Sequence, residues 1–134
     1  MAYENYAGTS PVTVPASATG LPRWRFCRLS TAANTQGQAA LGTSEVSVFG
    51  VIIDGTTGST VATNITCSVQ TGGIAKVSAG AADTLAAGDL VACGTGGKAV
   101  PLAAGDYAVG RVVAGSSGAI NRVLSISLEP IGTT

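Results

Sequence analysis

Residues 77–114 constrain the fold more than any other part of the chain, because they repeat one turn signal. The tetrapeptide Ala-Ala-Gly-Asp occurs at residues 86–89 and again at residues 103–106, and each copy leads into a short apolar run. Glycine readily adopts the left-handed backbone angles of a tight turn, and Asp side chains accept hydrogen bonds from nearby backbone amides. The segment therefore predicts two units in which a tight turn precedes a β-strand.

Short strand patterns separated by Gly-rich turns run through the rest of the chain. Residues 44–54 become apolar on both faces, which is typical of a strand that ends inside a sheet, and Gly50 indicates a bulge or a close backbone approach. Residues 60–70 and 74–78, with Gly72-Gly73 between them, predict a hairpin. About eight or nine short strands without a long helix predict an all-β fold, either a small sandwich or a barrel.

Three local predictions concern the ends of these elements. Residues 22–29 alternate, which predicts a strand with Trp24 and Phe26 on one face. Residues 83–87 are compatible with one helical turn. The last strand covers residues 122–129, and the Pro and Gly at positions 130 and 132 are expected to end it.

Length and composition favour one domain preceded by an arm. A chain of 134 residues has the size of a single domain, and we assign residues 1–20 to an extended N-terminal arm and residues 21–134 to one β domain. Pro11 and Pro15 favour extended backbone in the arm. Aromatic residues make up only 4% of the chain, so the core is expected to be thin and to gain support from self-association.

The charge balance argues against several partner classes. The chain has seven basic and seven acidic residues, whereas proteins that bind DNA or RNA through phosphates usually carry a positive excess. Charged residues are only 10% of the chain, which favours a surface that packs against other protein. There is neither a signal-peptide pattern nor an apolar run long enough for a membrane span. We therefore expect no nucleic-acid partner and no membrane partner.

The sequence offers no pattern for catalysis or for metal binding. The chain has no histidine, so Ser-His-Asp and Cys-His arrangements are excluded. Residues 94–98 depart from the phosphate-loop pattern at both of its ends. The cysteines lack metal-ligand spacing and are expected to be free buried thiols, and the aspartates in turn contexts are expected to be structural. The cysteines and aspartates in question are Cys27, Cys67, Cys93, Asp54, Asp83, Asp89 and Asp106. We therefore predict no catalytic residue, no metal and no cofactor.

Aromatic and basic side chains concentrate near the N-terminus. Four of the six aromatic residues lie in the first 26 positions, and three of the seven basic residues lie within residues 23–28. Aromatic and Arg side chains are the usual anchors of protein interfaces, although the aromatic side chains could instead cap the domain's own core. The predicted interface set is Tyr3, Tyr6, Pro11, Pro15, Arg23, Trp24 and Arg25.

Five motifs occur in a distinctive order: NYAG at residues 5–8, RLS at 28–30, FGVIIDG at 49–55, and the longer segments 72–91 and 96–113. In this order the chain resembles the small capsid decoration, or cement, proteins of tailed bacteriophages. The similar group was once catalogued as a domain of unknown function near phage head genes. The resemblance covers nearly the whole chain, but the arm here is longer and richer in Pro than in that group.

The resemblance implies a non-enzymatic virion protein, made in the bacterial host cytoplasm, on the outer surface of the phage head. Such a protein would bridge neighbouring subunits of the major capsid protein and stabilise the shell. Self-association is expected, with a trimer favoured over a dimer. We hypothesise that residues 2–15 dock onto adjacent subunits with help from Arg23, Trp24 and Arg25. The alternative is a fibre-like or receptor-binding β module on a virion or a cell surface.

Overall fold

The computed structural model describes residues 11–15, 21–29, 39–41, 48–54, 66–80, 85–115 and 122–133. In these ranges the short apolar runs between turns form strands. A 3-10 turn at Thr95–Gly97 joins the seventh strand to the eighth. The strands are β1 (Val12–Pro15), β2 (Arg25–Leu29), β3 (Ala39–Leu41), β4 (Gly50–Ile52), β5 (Thr66–Gln70), β6 (Ile74–Ser78), β7 (Leu90–Cys93), β8 (Ala99–Pro101), β9 (Tyr107–Ala114) and β10 (Val123–Thr133).

The strands form two antiparallel sheets that pack as a sandwich. The first sheet has the strand order β1-β5-β4-β2-β3, and the second has the order β6-β10-β9-β7-β8. Each sheet therefore contains five strands, and every pairing between neighbours is antiparallel. The predicted all-β fold class is confirmed, and of the two predicted architectures the chain adopts the sandwich.

Two apolar clusters stabilise the sandwich. In the larger one, Phe26 and Val51 of the first sheet pack against the buried side chains of the second sheet. The neighbour of Val51, Ile52, belongs instead to the smaller cluster, so β4 is buried on both faces, as its apolar run predicts. Apart from Leu21, the smaller cluster contains side chains of the first sheet only: Cys27, Ile52, Cys67 and Val69.

The repeated turn signal forms the same structure in both copies. The Asp89 carboxylate accepts a hydrogen bond from the Ala86 amide at 2.9 Å, and Asp106 accepts one from Ala103 at 3.0 Å. The glycine before each Asp has a positive φ, 96° in the first turn and 89° in the second. Strands β7 and β9 follow these turns directly, which confirms the predicted turn-and-strand units.

The predicted hairpin between β5 and β6 is wrong, because these consecutive strands belong to different sheets. Residues 71–73 carry the chain from one sheet to the other, and Gly73 adopts a φ of 77°. The buried Gln70 amide braces this crossover by donating to the carbonyl oxygens of Gly72 at 2.8 Å and Ile74 at 3.0 Å. The Leu128 amide donates to the Gly73 carbonyl at 2.9 Å, which ties the crossover to β10.

Two predicted strand ends are also wrong. Strand β2 begins at Arg25 because Trp24 has a φ of 62°, a left-handed value that interrupts strand alternation. Strand β10 continues past Pro130 to Thr133, and a register shift against β9 between Leu128 and Gly132 accommodates the change. The helical turn predicted at residues 83–87 lies partly outside the described residues, and residues 85–87 are not helical.

Part of the predicted arm belongs to the first sheet. Strand β1 pairs with β5, and the half-buried Val14 packs against the smaller apolar cluster. Residues 1–10 and 16–20 lie outside the described residues.

Candidate docking surface around Trp24

The backbone of Trp24 connects the two sheets. Its amide donates a hydrogen bond of 2.6 Å to the Ile52 carbonyl in β4, and its carbonyl accepts one of 2.8 Å from the Ser78 amide in β6. These bonds hold the residue at a φ of 62°, a genuine outlier for a bulky side chain. Backbone strain of this kind persists only where surrounding structure enforces it, and it clusters at functional sites.

Two cationic side chains lie over the half-buried ring of Trp24. The Arg23 guanidinium carbon is 4.1 Å from the ring centroid, and the Lys76 ammonium nitrogen is 5.6 Å from it. Both separations are within the range of cation–π attraction. Arg23 is exposed and Lys76 is half-buried, so the ring fixes two positive charges beside an aromatic surface.

Arg25 extends this positive region toward the turn between β7 and β8. One of its terminal nitrogens, Nη1, donates to the Gly96 carbonyl oxygen at 3.1 Å. Its Nε is buried and has no hydrogen-bond partner among the described residues. Burial also lowers the pKa of the Arg25 side chain from its ordinary value. We call the group formed by Arg23, Trp24, Arg25 and Lys76 the Trp24 surface.

The carboxylates of the described residues are engaged away from the Trp24 surface. Asp54 accepts a hydrogen bond from the Ser68 amide at 2.6 Å, and Asp89 and Asp106 bind their own turns. Glu129 lies 4.0 Å from Arg111, the one ion pair within the described ranges. All seven basic residues fall in those ranges, and the Trp24 surface carries three of them without a described carboxylate beside it.

The structure brings together only part of the predicted interface set. Arg23, Trp24 and Arg25 lie together, whereas Pro11 and Pro15 are exposed and flank or end β1, which β5 and β4 separate from β2. Tyr3 and Tyr6 lie outside the described residues. Lys76 was missed by sequence reasoning because only the packing of β6 near the start of β2 places it over the ring.

The two prolines occupy outward positions of an edge strand. The Ser68 carbonyl and amide bond to Ile53 and Asp54, on the β4 side, so Cys67 and Val69 face β1 with their backbone groups. Their partners in β1 are Val14 and Val12. The backbones of residues 11, 13 and 15 therefore point outward, and two of these three positions are proline, which has no amide to donate. Pro11 and Pro15 thus protect this sheet edge.

A small apolar cleft opens between the sheets, and its lining residues differ from those of the Trp24 surface. Its volume is about 80 Å³, and both Phe49 and Tyr107 line it. Gly50 contributes to the cleft, and a Cβ at this position would overlap the Gln70 carbonyl oxygen, which confirms the predicted close backbone approach. The remaining lining residues are Val48, Thr71, Val109 and Leu128.

The cysteines are buried and free, as the sequence predicts. Burial raises the pKa of Cys27 and of Cys93 to about 12, so neither thiol is activated as a nucleophile. Among the described residues, no group of three or more His, Cys, Asp or Glu side chains could hold a metal ion. The described ranges also contain no helix long and apolar enough to cross a membrane.

No known protein family and no curated protein sequence matches the chain. Its fold is similar to the crystal structure of the head fiber gp8.5 N base of bacteriophage phi29. The superposition has a TM-score of 0.58 with 15% sequence identity, and it covers 93% of this chain and 98% of the other. The likeness therefore extends over essentially the whole of both chains and concerns the fold.

Proposed function

We propose that this chain is a non-enzymatic structural protein of a phage virion, bound to the outer surface of the head. The observation that carries the proposal is the fold. This chain superposes on the N base of a phage head fibre over nearly the whole length of both chains. The motif order of the sequence, which resembles capsid decoration proteins, independently indicates a head-associated role. The low content of charged residues suits a protein that functions while packed against other protein.

In its specific form, the proposed role is cementing. The protein contacts neighbouring subunits of the major capsid protein and stabilises the shell, through modest contacts that symmetry repeats. The Trp24 surface supports this role because Trp and Arg are enriched among residues that dominate interface energies. Self-association, with a trimer favoured over a dimer, belongs to the same proposal.

A second candidate role is the base of a head fibre, and the nature of the structural neighbour favours it specifically. A fibre base needs the head surface as one partner and a fibre segment or a receptor-binding module as the other. The two roles differ in what their loss changes. Loss of a cement protein weakens the shell, whereas loss of a fibre base leaves the shell intact and impairs adsorption to the host.

The test compares heads that carry the protein with heads produced without it. Cementing predicts that heads without the protein release their DNA at a lower temperature, and that adding the purified protein back restores the original temperature. An unchanged release temperature with impaired adsorption would favour the fibre base. If the purified protein does not sediment with heads at all, both roles are excluded.

The arm hypothesis needs a narrower deletion than residues 2–15, because Val12–Pro15 form β1 of the first sheet. Deleting residues 2–10 removes Tyr3 and Tyr6 while leaving that strand in place. If the arm docks onto adjacent subunits, this deletion lowers occupancy on heads while the β-sheet circular dichroism spectrum is retained. Full occupancy of the deletion variant would exclude the arm from head binding.

A further inference from the structure

We propose that the Trp24 surface is a docking site for a carboxylate-rich protein surface, with Arg23 and Lys76 as the groups that contact the carboxylates. The inference deepens the proposed function, on which it rests for the location of the acidic partner on the phage head.

The argument begins with the positions of the charges. Arg23 and Lys76 both lie over the ring of Trp24, at 4.1 Å and 5.6 Å from its centroid. Cation–π contact restricts where each charged group can go, so less rotamer entropy remains to be lost on binding. A cation that lies over an aromatic ring keeps its hydrogen-bond donors available for a partner. A neighbouring carboxylate, in contrast, would accept hydrogen bonds from those donors.

Arg25 has a different part in the site. Its Nη1 is taken by the Gly96 carbonyl oxygen, and its Nε is buried. Its charge adds to the local positive potential, while its geometry ties the turn between β7 and β8 to β2. We therefore assign direct contact to Arg23 and Lys76 and a positioning role to Arg25.

The carboxylates of the described residues indicate what a partner could supply to the Trp24 surface. The described carboxylates serve the turns at residues 86–89 and 103–106, the Ser68 amide and Arg111. Within the described residues, the three cations of the Trp24 surface therefore form no ion pair with a carboxylate. An acidic partner surface completes the charge balance at this point and gains the Trp ring as an apolar anchor.

A phosphate backbone fits these observations less well. Binding to nucleic acid draws on a positive field over an extended surface, and this chain has no net positive charge with which to create one. Two cations over one aromatic ring suit a compact cluster of carboxylates. Nucleic-acid binding is accordingly a contradicting outcome of the test.

Trp24 is the only Trp in the chain, so its fluorescence reports on the site directly. The full-length protein is titrated with poly-L-glutamate and, separately, with an oligothymidylate of matched charge. We expect a saturable, salt-sensitive change in Trp emission with poly-L-glutamate and weaker binding of the oligothymidylate. The absence of a saturable change, or tighter binding of the oligothymidylate, would overturn the proposal.

The variant Arg23→Glu/Lys76→Glu is expected to bind poly-L-glutamate at least about tenfold more weakly, because like charges then face each other. The matched control is Arg122→Glu, which reverses an exposed charge outside the Trp24 surface and is expected to retain wild-type affinity. A neutral variant, Arg23→Gln/Lys76→Gln, replaces the double reversal if circular dichroism shows that the reversal prevents folding. Equal affinity of the folded double variant and the control would contradict the proposal.

Purified heads that lack the protein separate this inference from the proposed function. If the wild-type protein and Arg122→Glu bind heads while the double variant does not, both the function and the docking site are supported. If wild type and double variant bind heads equally, the docking site is wrong and the function stands. If the wild-type protein binds poly-L-glutamate as expected but does not bind heads, the proposed function is wrong and the acidic partner lies elsewhere.

Discussion

The Trp24 carbonyl oxygen accepts a hydrogen bond from the Ser78 amide at 2.8 Å, which joins the entry of β2 to an edge strand of the opposite sheet. Together with the bond from the Trp24 amide to Ile52, this contact fixes a left-handed backbone at an aromatic residue. The position therefore combines a conformation that favours glycine with a side chain that carries the candidate docking surface.

Replacing Trp24 separates these two properties. Trp24→Gly and Trp24→Ala both remove the ring, but only glycine accepts a φ of 62° without a steric penalty. That penalty is about 1–2 kcal/mol, and the larger unfolded-state entropy of glycine offsets about 0.4–1 kcal/mol of it. We expect Trp24→Gly to be more stable than Trp24→Ala in urea unfolding followed by circular dichroism, and both variants to bind an acidic partner more weakly than the wild type. Greater stability of Trp24→Ala would show that the backbone relaxes at this position.

Gly97 provides a second link between the sheets, because it packs directly on the Phe26 backbone in β2. Gly97→Ala would place a methyl group against the Phe26 carbonyl oxygen and would also force Ala to a φ of 76°. The matched control is Gly88→Ala, with a φ of 96° and nothing within 4 Å of the added methyl. The control is expected to lose about 1–2 kcal/mol of unfolding free energy, and Gly97→Ala about 1–3 kcal/mol more. Equal losses would mean that the turn yields without disturbing β2.

The buried thiols predict a loss of stability at alkaline pH. The pKa of Cys27 is raised from 9.0 to about 12 in the folded chain, so the folded state binds more protons than the unfolded state between these values. The stabilising contribution is therefore complete below pH 9 and is lost as the pH rises toward 12. We expect Cys27→Val to show a shallower decline of unfolding free energy above pH 9 than the wild type. Parallel pH profiles for the two proteins would contradict this assignment.

The edge prolines predict a change in self-association. Pro11→Thr/Pro15→Thr restores two outward-facing amides on β1, so this edge can pair with another strand. Sedimentation velocity is expected to show concentration-dependent species larger than those of the wild type. Val12→Thr, whose amide faces β5, serves as the control and is expected to sediment like the wild type. An unchanged distribution for the proline variant would mean that the edge is protected by something other than proline.

The features that the sequence predicted well are local ones. Each Ala-Ala-Gly-Asp turn closes through a hydrogen bond between residues three positions apart. The structural role of Asp89 and Asp106 can therefore be predicted from the local sequence. The burial of Val51 and Ile52 likewise follows from an uninterrupted apolar run.

The wrong predictions depended on contacts that are distant along the chain. A Gly-Gly turn suits a hairpin as well as a crossover, and the pairing of β6 with β10 decides between them. The local sequence around Trp24 does not predict a positive φ. Hydrogen bonds between Trp24 and a strand of each sheet hold its backbone in that conformation. The candidate site was therefore predicted in part: Arg23, Trp24 and Arg25 are adjacent in sequence, whereas Lys76 reaches the ring only through the fold.

Under the proposed function, a cryo-EM reconstruction of intact heads from the source phage tests the role of this chain most directly. We predict density for the two-sheet sandwich at repeated positions over the whole outer surface of the head, in contact with neighbouring major capsid protein subunits. The Trp24 surface is predicted to face acidic side chains of that protein. Heads without such density, or density confined to a few vertices or to the tail, would contradict cementing.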